Sequence, residues 1–295
     1  MKKLLAILVA AFMLLSLAAV AEETTTIGYI LSDLANPFFV TLEEGIKTEC
    51  EANGFECVGY DSANDAAKDL ENMDTLIQLG VSAILYNPVD SETGVAVVEK
   101  ANEAGIPVLT IDRSVNGGEV VCHIASDNVY GAEIGCQFIL EKLGEAGGQV
   151  AEIQGMAGAS AANERHEGFE NIMGAAENIE VVSSQIGDWD QTKAQEIMTN
   201  VLTASPEVKA VFCANDNMAL GAIEACKIAG REDIVIVGFD AIDDAVAAVE
   251  EGTLAATIQQ LPGQIGVVGV QNAVKVLNGE AVDAFIGVEV QLVTK

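Results

Sequence analysis

The sequence predicts an α/β protein built as two similar doubly wound parallel-sheet lobes. Short β-branched runs alternate with longer amphipathic stretches from residue 26 to the C-terminal end, as parallel strands joined by crossover helices do. Eleven such runs occur, more than one small doubly wound sheet accommodates. The same unit also recurs in each half. VSAILYN (81–87) resembles VKAVFCAN (208–215), each an apolar strand delivering an Asn, and IPVLTID (106–112) resembles IVIVGFD (234–240), each delivering an Asp. Asn and Asp are 25 residues apart in both pairs, which a helix, a strand and two turns fill, so a βαβ unit is duplicated.

Strands are expected at 26–31, 56–60, 83–86, 107–111, 120–125, 149–153, 181–185, 210–213, 234–239, 255–258 and 288–293. Each is a short run rich in Val, Ile, Tyr or Phe between turn-forming residues. Between them, apolar residues recur every three or four positions, which predicts helices at 37–52, 66–79, 92–104, 129–143, 161–176, 191–203, 218–229 and 264–277. Asn36 before Pro37 is a helix-start signal, and Asp90, Asp127 and Asp216 read as caps after strand ends. No Pro/Gly/Ser-rich linker divides the chain, so short ordered crossovers must join the lobes.

Composition narrows the function. The 295 residues carry 14 Lys and Arg against 45 Asp and Glu, a net charge of −31, which repels phosphate backbones and anionic membrane faces. No nucleic-acid partner is expected. Half the residues are apolar, which excludes disorder. Lys2 and Lys3 precede an apolar run from Leu4 to Val20 broken only by Ser16, and Ala19 and Ala21 supply a small-x-small end. Residues 1–21 therefore read as a signal peptide cleaved after about Ala21, against the rival reading of an uncleaved anchor. Export leaves a mature chain of charge −33.

Six cysteines are too sparse for a disulfide scaffold, and no CxxC or Cys/His cluster offers a metal site. They read as small buried hydrophobes, with Cys50 and Cys57 the best candidate bridge. Neither GxSxG nor HExxH occurs; His123 lies in a strand run and His166 in a helix. Asp112 and Asp240 are poor glycosidase candidates, because Arg113 beside Asp112 favours its ionised form. No enzyme activity, cofactor or metal is expected.

Ligands of open parallel sheets bind beyond the carboxyl ends of the strands. There the sequence delivers Ser32 and Asn36, Asp61, Asn87, Asp112 with Arg113, Trp189, Asn215, Asp240 and Gln260. Planar hydrogen-bonding groups with a few aromatic rings suit a polyol, whose hydroxyls donate and accept while its C–H faces stack. A phosphate or carboxylate would favour a net positive, glycine-rich site, and no P-loop occurs.

NPFF (36–39), YNPVD (86–90), IDR (111–113), HIASDN (123–128), ERHEGF (164–169), ND (215–216), GFD (238–240) and ATIQQLP (256–262) carry a resemblance to the bacterial periplasmic sugar-binding proteins, the ribose-binding family in particular. The likeness spans essentially the whole mature chain. It implies two lobes, 22–126 plus 261–288 and 127–260 plus 289–295, joined by a multi-strand hinge with crossovers near 126, 260 and 288. It also implies a ligand set of Asn36, Phe38, Phe39, Asp112, Arg113, Arg165, Asn215, Asp240 and Gln260, with Ser32 and Phe239 beside them. At 189 the family's ribose binders carry Phe; Trp189 keeps a stacking face and adds an indole N–H. Asn163 stands where they carry Arg. The implied function is capture of a monosaccharide, D-ribose first, by a monomeric periplasmic protein that delivers it to an ABC-type permease. The alternative is a binder of another pentose or hexose, or of an autoinducer-type furanose, with a chemotaxis or signalling role through a chemoreceptor. A sugar-sensing repressor core shares the fold, but the export signal and the missing DNA-binding headpiece argue against it.

Overall fold

The computed structural model describes residues 25–295. The expected signal peptide lies outside the described residues. The first half runs β1 (Thr26–Leu31), α1 (Pro37–Ala52), β2 (Glu56–Asp61), α2 (Ala66–Leu79), β3 (Ala83–Tyr86), α3 (Gly94–Glu103), β4 (Val108–Ile111), β5 (Val120–Ser126). It continues α4 (Asn128–Leu143), β6 (Gly148–Gln154), α5 (Ser160–Met173), β7 (Ile179–Ile186), α6 (Gln191–Ala204), β8 (Val208–Cys213), α7 (Asp216–Ala229), β9 (Val235–Asp240), α8 (Asp243–Glu251). The tail is β10 (Ala256–Gln259), α9 (Pro262–Leu277), β11 (Phe285–Val288), β12 (Gln291–Val293).

Two six-stranded sheets form, in the orders β11-β5-β4-β3-β1-β2 and β12-β10-β9-β8-β6-β7. The first is wholly parallel. In the second only the β10–β12 pair is antiparallel. Both follow one winding, with the lobe's first strand lying between its second and third, so each has a switch point where strand-end loops diverge and leave a crevice. Central strands such as β3 and β4 are buried at every position, because helices cover both faces. Each sheet accordingly has two cores, for example Leu42, Leu85 and Ile265 on one face of the first, and Met73, Ile84 and Val98 on the other.

The chain passes between sheets three times, at 126–128, 259–262 and 288–291. The helices at the first two crossings are exchanged. α4 follows a strand of the first sheet but packs on the second against α5, whereas α9 follows a strand of the second and packs on the first against α1. α1 and α9 approach closely through glycines, since a Cβ on Gly45 would come within 2.2 Å of the Gly263 carbonyl oxygen.

Three expectations are corrected. The run at 288–293 is not one strand but two, β11 and β12, in different sheets, because the tail crosses between lobes at 289–290. Helix α8 lies in the segment after Asp240, outside the helices expected from the sequence; two aspartates in its first turn suit the helix dipole, and Ala245, Ala248 and Val249 bury its inner face. The six cysteines, all among the described residues, are free thiols, Cys50 and Cys57 included. Burial pushes the Cys50 thiol up to about 12 and raises Cys57 as well, far from the thiolate that disulfide exchange requires.

Candidate functional site

A small cleft lies between the two sheets at the carboxyl ends of their strands. Asn36, Phe38, Phe39, Asp112 and Arg113 line it from the first lobe, and Ala161, Arg165, Trp189, Asn215 and Asp240 from the second, with Gln260 at a crossing. The structure thus brings together ten of the twelve residues expected. Ser32 and Phe239 lie behind the lining: the Ser32 amide donates to Asn87, and the Phe239 ring sits 3.8 Å from the Arg165 guanidinium carbon. Asp61 and Asn163 do not line it. Ala161 was missed, having no polar group to signal it.

Each side chain is held by local structure. Asn36 caps α1, its Oδ1 accepting from the Phe38 amide (3.0 Å), which leaves the Nδ2 donors unused by the cap. Pro37 then starts the helix, and Phe38 and Phe39 meet edge to face, centroids 5.1 Å apart. Asn215 caps α7 in the same way through Met218 (3.0 Å). Asp112, Asp188 and Trp189 adopt left-handed φ values of 61°, 55° and 63°, and Asp240 a φ of 121°. Such backbone costs about 1–3 kcal/mol per residue and clusters at ligand clamps. A Cβ at Gly155 would fall 2.1 Å from the Trp189 ring, so glycine there makes room for the indole.

The charges are paired and buried. Asp112 Oδ2 lies 3.7 Å from Arg113 Nε and accepts from Asn87 Nδ2 (3.0 Å). Asp240 Oδ1 lies 3.5 Å from Arg165 Nη1 and accepts from Gln260 Nε2 (2.7 Å). Arg165 also donates to Asn128 Oδ1 (2.9 Å) and the Ala214 carbonyl (2.6 Å). Arg113 and Arg165 both approach Trp189, their guanidinium carbons 5.5 and 5.6 Å from its ring centroid. Burial raises Asp112 against the pull of Arg113, and pushes Asp240 up to about 6 against that of Arg165. The four charges sum to zero.

Eight buried side-chain atoms among the described residues lack a hydrogen-bond partner, and four belong to cleft residues: Arg113 Nε, Trp189 Nε1, Asn215 Nδ2 and Gln260 Oε1. Unpaired buried polar groups cost about 1–3 kcal/mol each, so they mark where a ligand supplies the missing partner. Among the described residues no group of three or more His, Cys, Asp or Glu is placed to hold a metal ion, and no helix is long and apolar enough to cross a membrane.

Two wound lobes enclosing a small, neutral, polar cleft define a ligand-binding protein of the two-lobe α/β class. The family model for the periplasmic binding protein domain matches residues 27–281. The chain is 47% identical to the ribose import binding protein of Escherichia coli (strain K12) over 295 residues, 100% of this chain and 99% of that one. It is 43% identical to the ribose import binding protein of Haemophilus influenzae, covering all of both chains. An ABC transporter solute binding protein from Bacillus halodurans C-125, solved with bound myo-inositol, superposes with a TM-score of 0.87 at 29% identity, over 94% of this chain and 96% of that chain. The chain belongs to the periplasmic binding protein family.

Proposed function

We propose that this chain is a periplasmic substrate-binding protein that captures a monosaccharide, D-ribose, between its lobes and delivers it to an ABC-type sugar permease. The observation that carries this is the set of unpartnered buried atoms in the cleft, three donors and one acceptor beside two carboxylates whose charges two arginines cancel. A polyol matches it, because each hydroxyl donates to a carboxylate or Gln260 Oε1 and accepts from the others. An anion would face Asp112 and Asp240, and a cation would leave the three donors unmatched. The relatives named for ribose import, identical at nearly half of all positions, favour ribose over other polyols.

The twelve residues named from the sequence act as the ligand site in two ranks. The ten lining the cleft contact sugar, while Ser32 and Phe239 support Asn87 and Arg165. The lobes divide at 126–127, 260–261 and 288–289, where the three crossings fall, and close around the ligand as a hinge. Closure is driven by differential affinity, since only the closed form presents both half-sites at once. The protein is exported, loses residues 1–21 and acts as a monomer. Binding without turnover is its role, and signalling through a chemoreceptor is the second reading.

Calorimetry and thermal shift on residues 22–295 with ribose, xylose, arabinose, galactose, glucose and allose test this. A ligand at 100 times its Kd stabilises by about 2.7 kcal/mol. No response to any sugar would overturn the function, a hexose binding more tightly than ribose would overturn ribose alone, and a changed sugar in product analysis would overturn non-catalytic binding.

A further inference from the structure

The lobes also touch outside the cleft's lining. The Ser91 amide donates to the Gly158 carbonyl (3.0 Å) and the Ser114 amide donates to Ser160 Oγ (2.9 Å). Both donors lie on first-lobe loops, after β3 and after β4, and both acceptors on the β6–α5 segment of the second lobe. None of the four residues lines the cleft.

Each side is braced before the two meet. Ser91 Oγ donates to the Ser114 carbonyl (2.7 Å), and the Asn116 amide donates to the Ser91 carbonyl (3.0 Å), which locks the two first-lobe loops into one unit. Beneath them the buried carboxylate of Asp69 accepts from Tyr86 (2.8 Å), from the Val89 amide (3.0 Å) and from Ser62. Asp90 accepts from the Glu92 and Thr93 amides (3.1 and 2.7 Å). Across the gap, Gly158 has a φ of 86°, and a Cβ there would lie 2.0 Å from Asp90 Oδ2. Only glycine permits that approach.

We infer that this contact is a closure latch, which sets how tightly the protein holds sugar without choosing the sugar. The inference rests on reading the cleft as a sugar site that closes. Separated lobes cannot form the two cross-lobe hydrogen bonds, and water satisfies the four groups instead. The bonds therefore stabilise only the closed state, and apparent affinity scales with the population of that state. Such a contribution multiplies the affinity of every ligand by one factor, unlike a residue touching the sugar. The latch also adjoins the site: Ser114 follows Arg113, and Ser160 opens the helix that carries Arg165. In this closed arrangement both guanidiniums lie within about 6 Å of the Trp189 ring.

Ser160→Ala removes one acceptor and orphans the Ser114 amide only when the lobes are closed. Calorimetry with D-ribose, D-xylose, L-arabinose and D-allose should show Kd raised about tenfold, by the same factor for each sugar the wild type binds, with the melting temperature of the sugar-free chain unchanged. Unchanged affinity, or a factor that varies from sugar to sugar, overturns the latch. Gly158→Ala should weaken binding further, and Asp90→Ser in that background should recover part of the loss, because serine is shorter yet still accepts from the Glu92 and Thr93 amides. No recovery counts against the latch, since the loss then comes from the backbone at 158. A wild-type chain that binds none of these sugars overturns the sugar-site reading, and the latch with it.

Discussion

The two lobes use one winding to hold an aspartate in opposite ways. In the first, Asn87 at the end of β3 spends its whole amide on structure: Oδ1 accepts from the Ser32 amide (3.1 Å), and Nδ2 donates to the Ile111 carbonyl and to Asp112 (both 3.0 Å). In the second, the matching Asn215 caps α7 with Oδ1 and keeps Nδ2 unpartnered, while Gln260 from the crossing segment holds Asp240. Duplicated positions thus differ, one a positioning residue and the other an unpartnered donor in the cleft. The first lobe offers two phenylalanines and the second one tryptophan. An asymmetric sugar needs such asymmetry, because two identical half-sites would suit only a ligand with twofold symmetry.

The largest effect tests whether both lobes are needed. Asp112→Ala in one lobe or Arg165→Ala in the other should each weaken sugar binding about a thousandfold or more, with circular dichroism showing a folded chain. Retained affinity in either variant would mean that one lobe binds alone. Next comes the asparagine pair. Urea unfolding should show Asn87→Ala losing about 3 kcal/mol, for three buried hydrogen bonds, against about 1 kcal/mol for Asn215→Ala, which loses a cap. Equal losses would erase the distinction drawn between them.

A smaller effect is read through the pH dependence of Asp240. Burial pushes Asp240 up to about 6, and sugar hydroxyls that donate to its ionised form lower it. Binding then releases a proton at and below that pH, so affinity falls as pH drops and should be about tenfold weaker at pH 5 than at pH 7.5. Calorimetry in buffers of different ionisation enthalpy measures the proton directly; no proton release would show that Asp240 is already ionised when empty. Smallest of all, Trp189→Phe keeps the stacking face and removes the Nε1 donor, and should cost about fivefold in affinity. Equal affinity in both forms would show that the indole contributes its face alone.

Much of this was legible from residue order. Every strand expected in the first half is present to within a residue or so, because a buried parallel strand needs an unbroken apolar run and a turn after it. Seven cleft residues, Asn36, Asp112, Arg113, Trp189, Asn215, Asp240 and Gln260, were legible too, since a strand-end loop must place its first polar residues beyond the sheet, whereas Phe38, Phe39 and Arg165 followed only from the family resemblance. Failures came where a local pattern had two outcomes. Residues 288–293 read as one extended run, and nothing local says that its halves pair with different sheets. Cys50 and Cys57 are close enough in sequence to bridge, yet the environment that keeps both as thiols is assembled from elsewhere in the fold.

By itself the sequence determined the α/β class, the duplication and the side chains available at the strand ends, because period and turn chemistry act over a few residues. Only the tertiary structure decided which of those polar atoms remain without partners. Asn87 and Asn215 are alike as sequence signals; one is consumed by Ser32, Ile111 and Asp112, and the other retains a free donor in the cleft. The meeting of Ser91 with Gly158 and of Ser114 with Ser160 was likewise decided there, between loops 67 and 46 residues apart. Hydrogen-bond satisfaction depends on what lies within about 3 Å in space, and folding brings distant segments to that range.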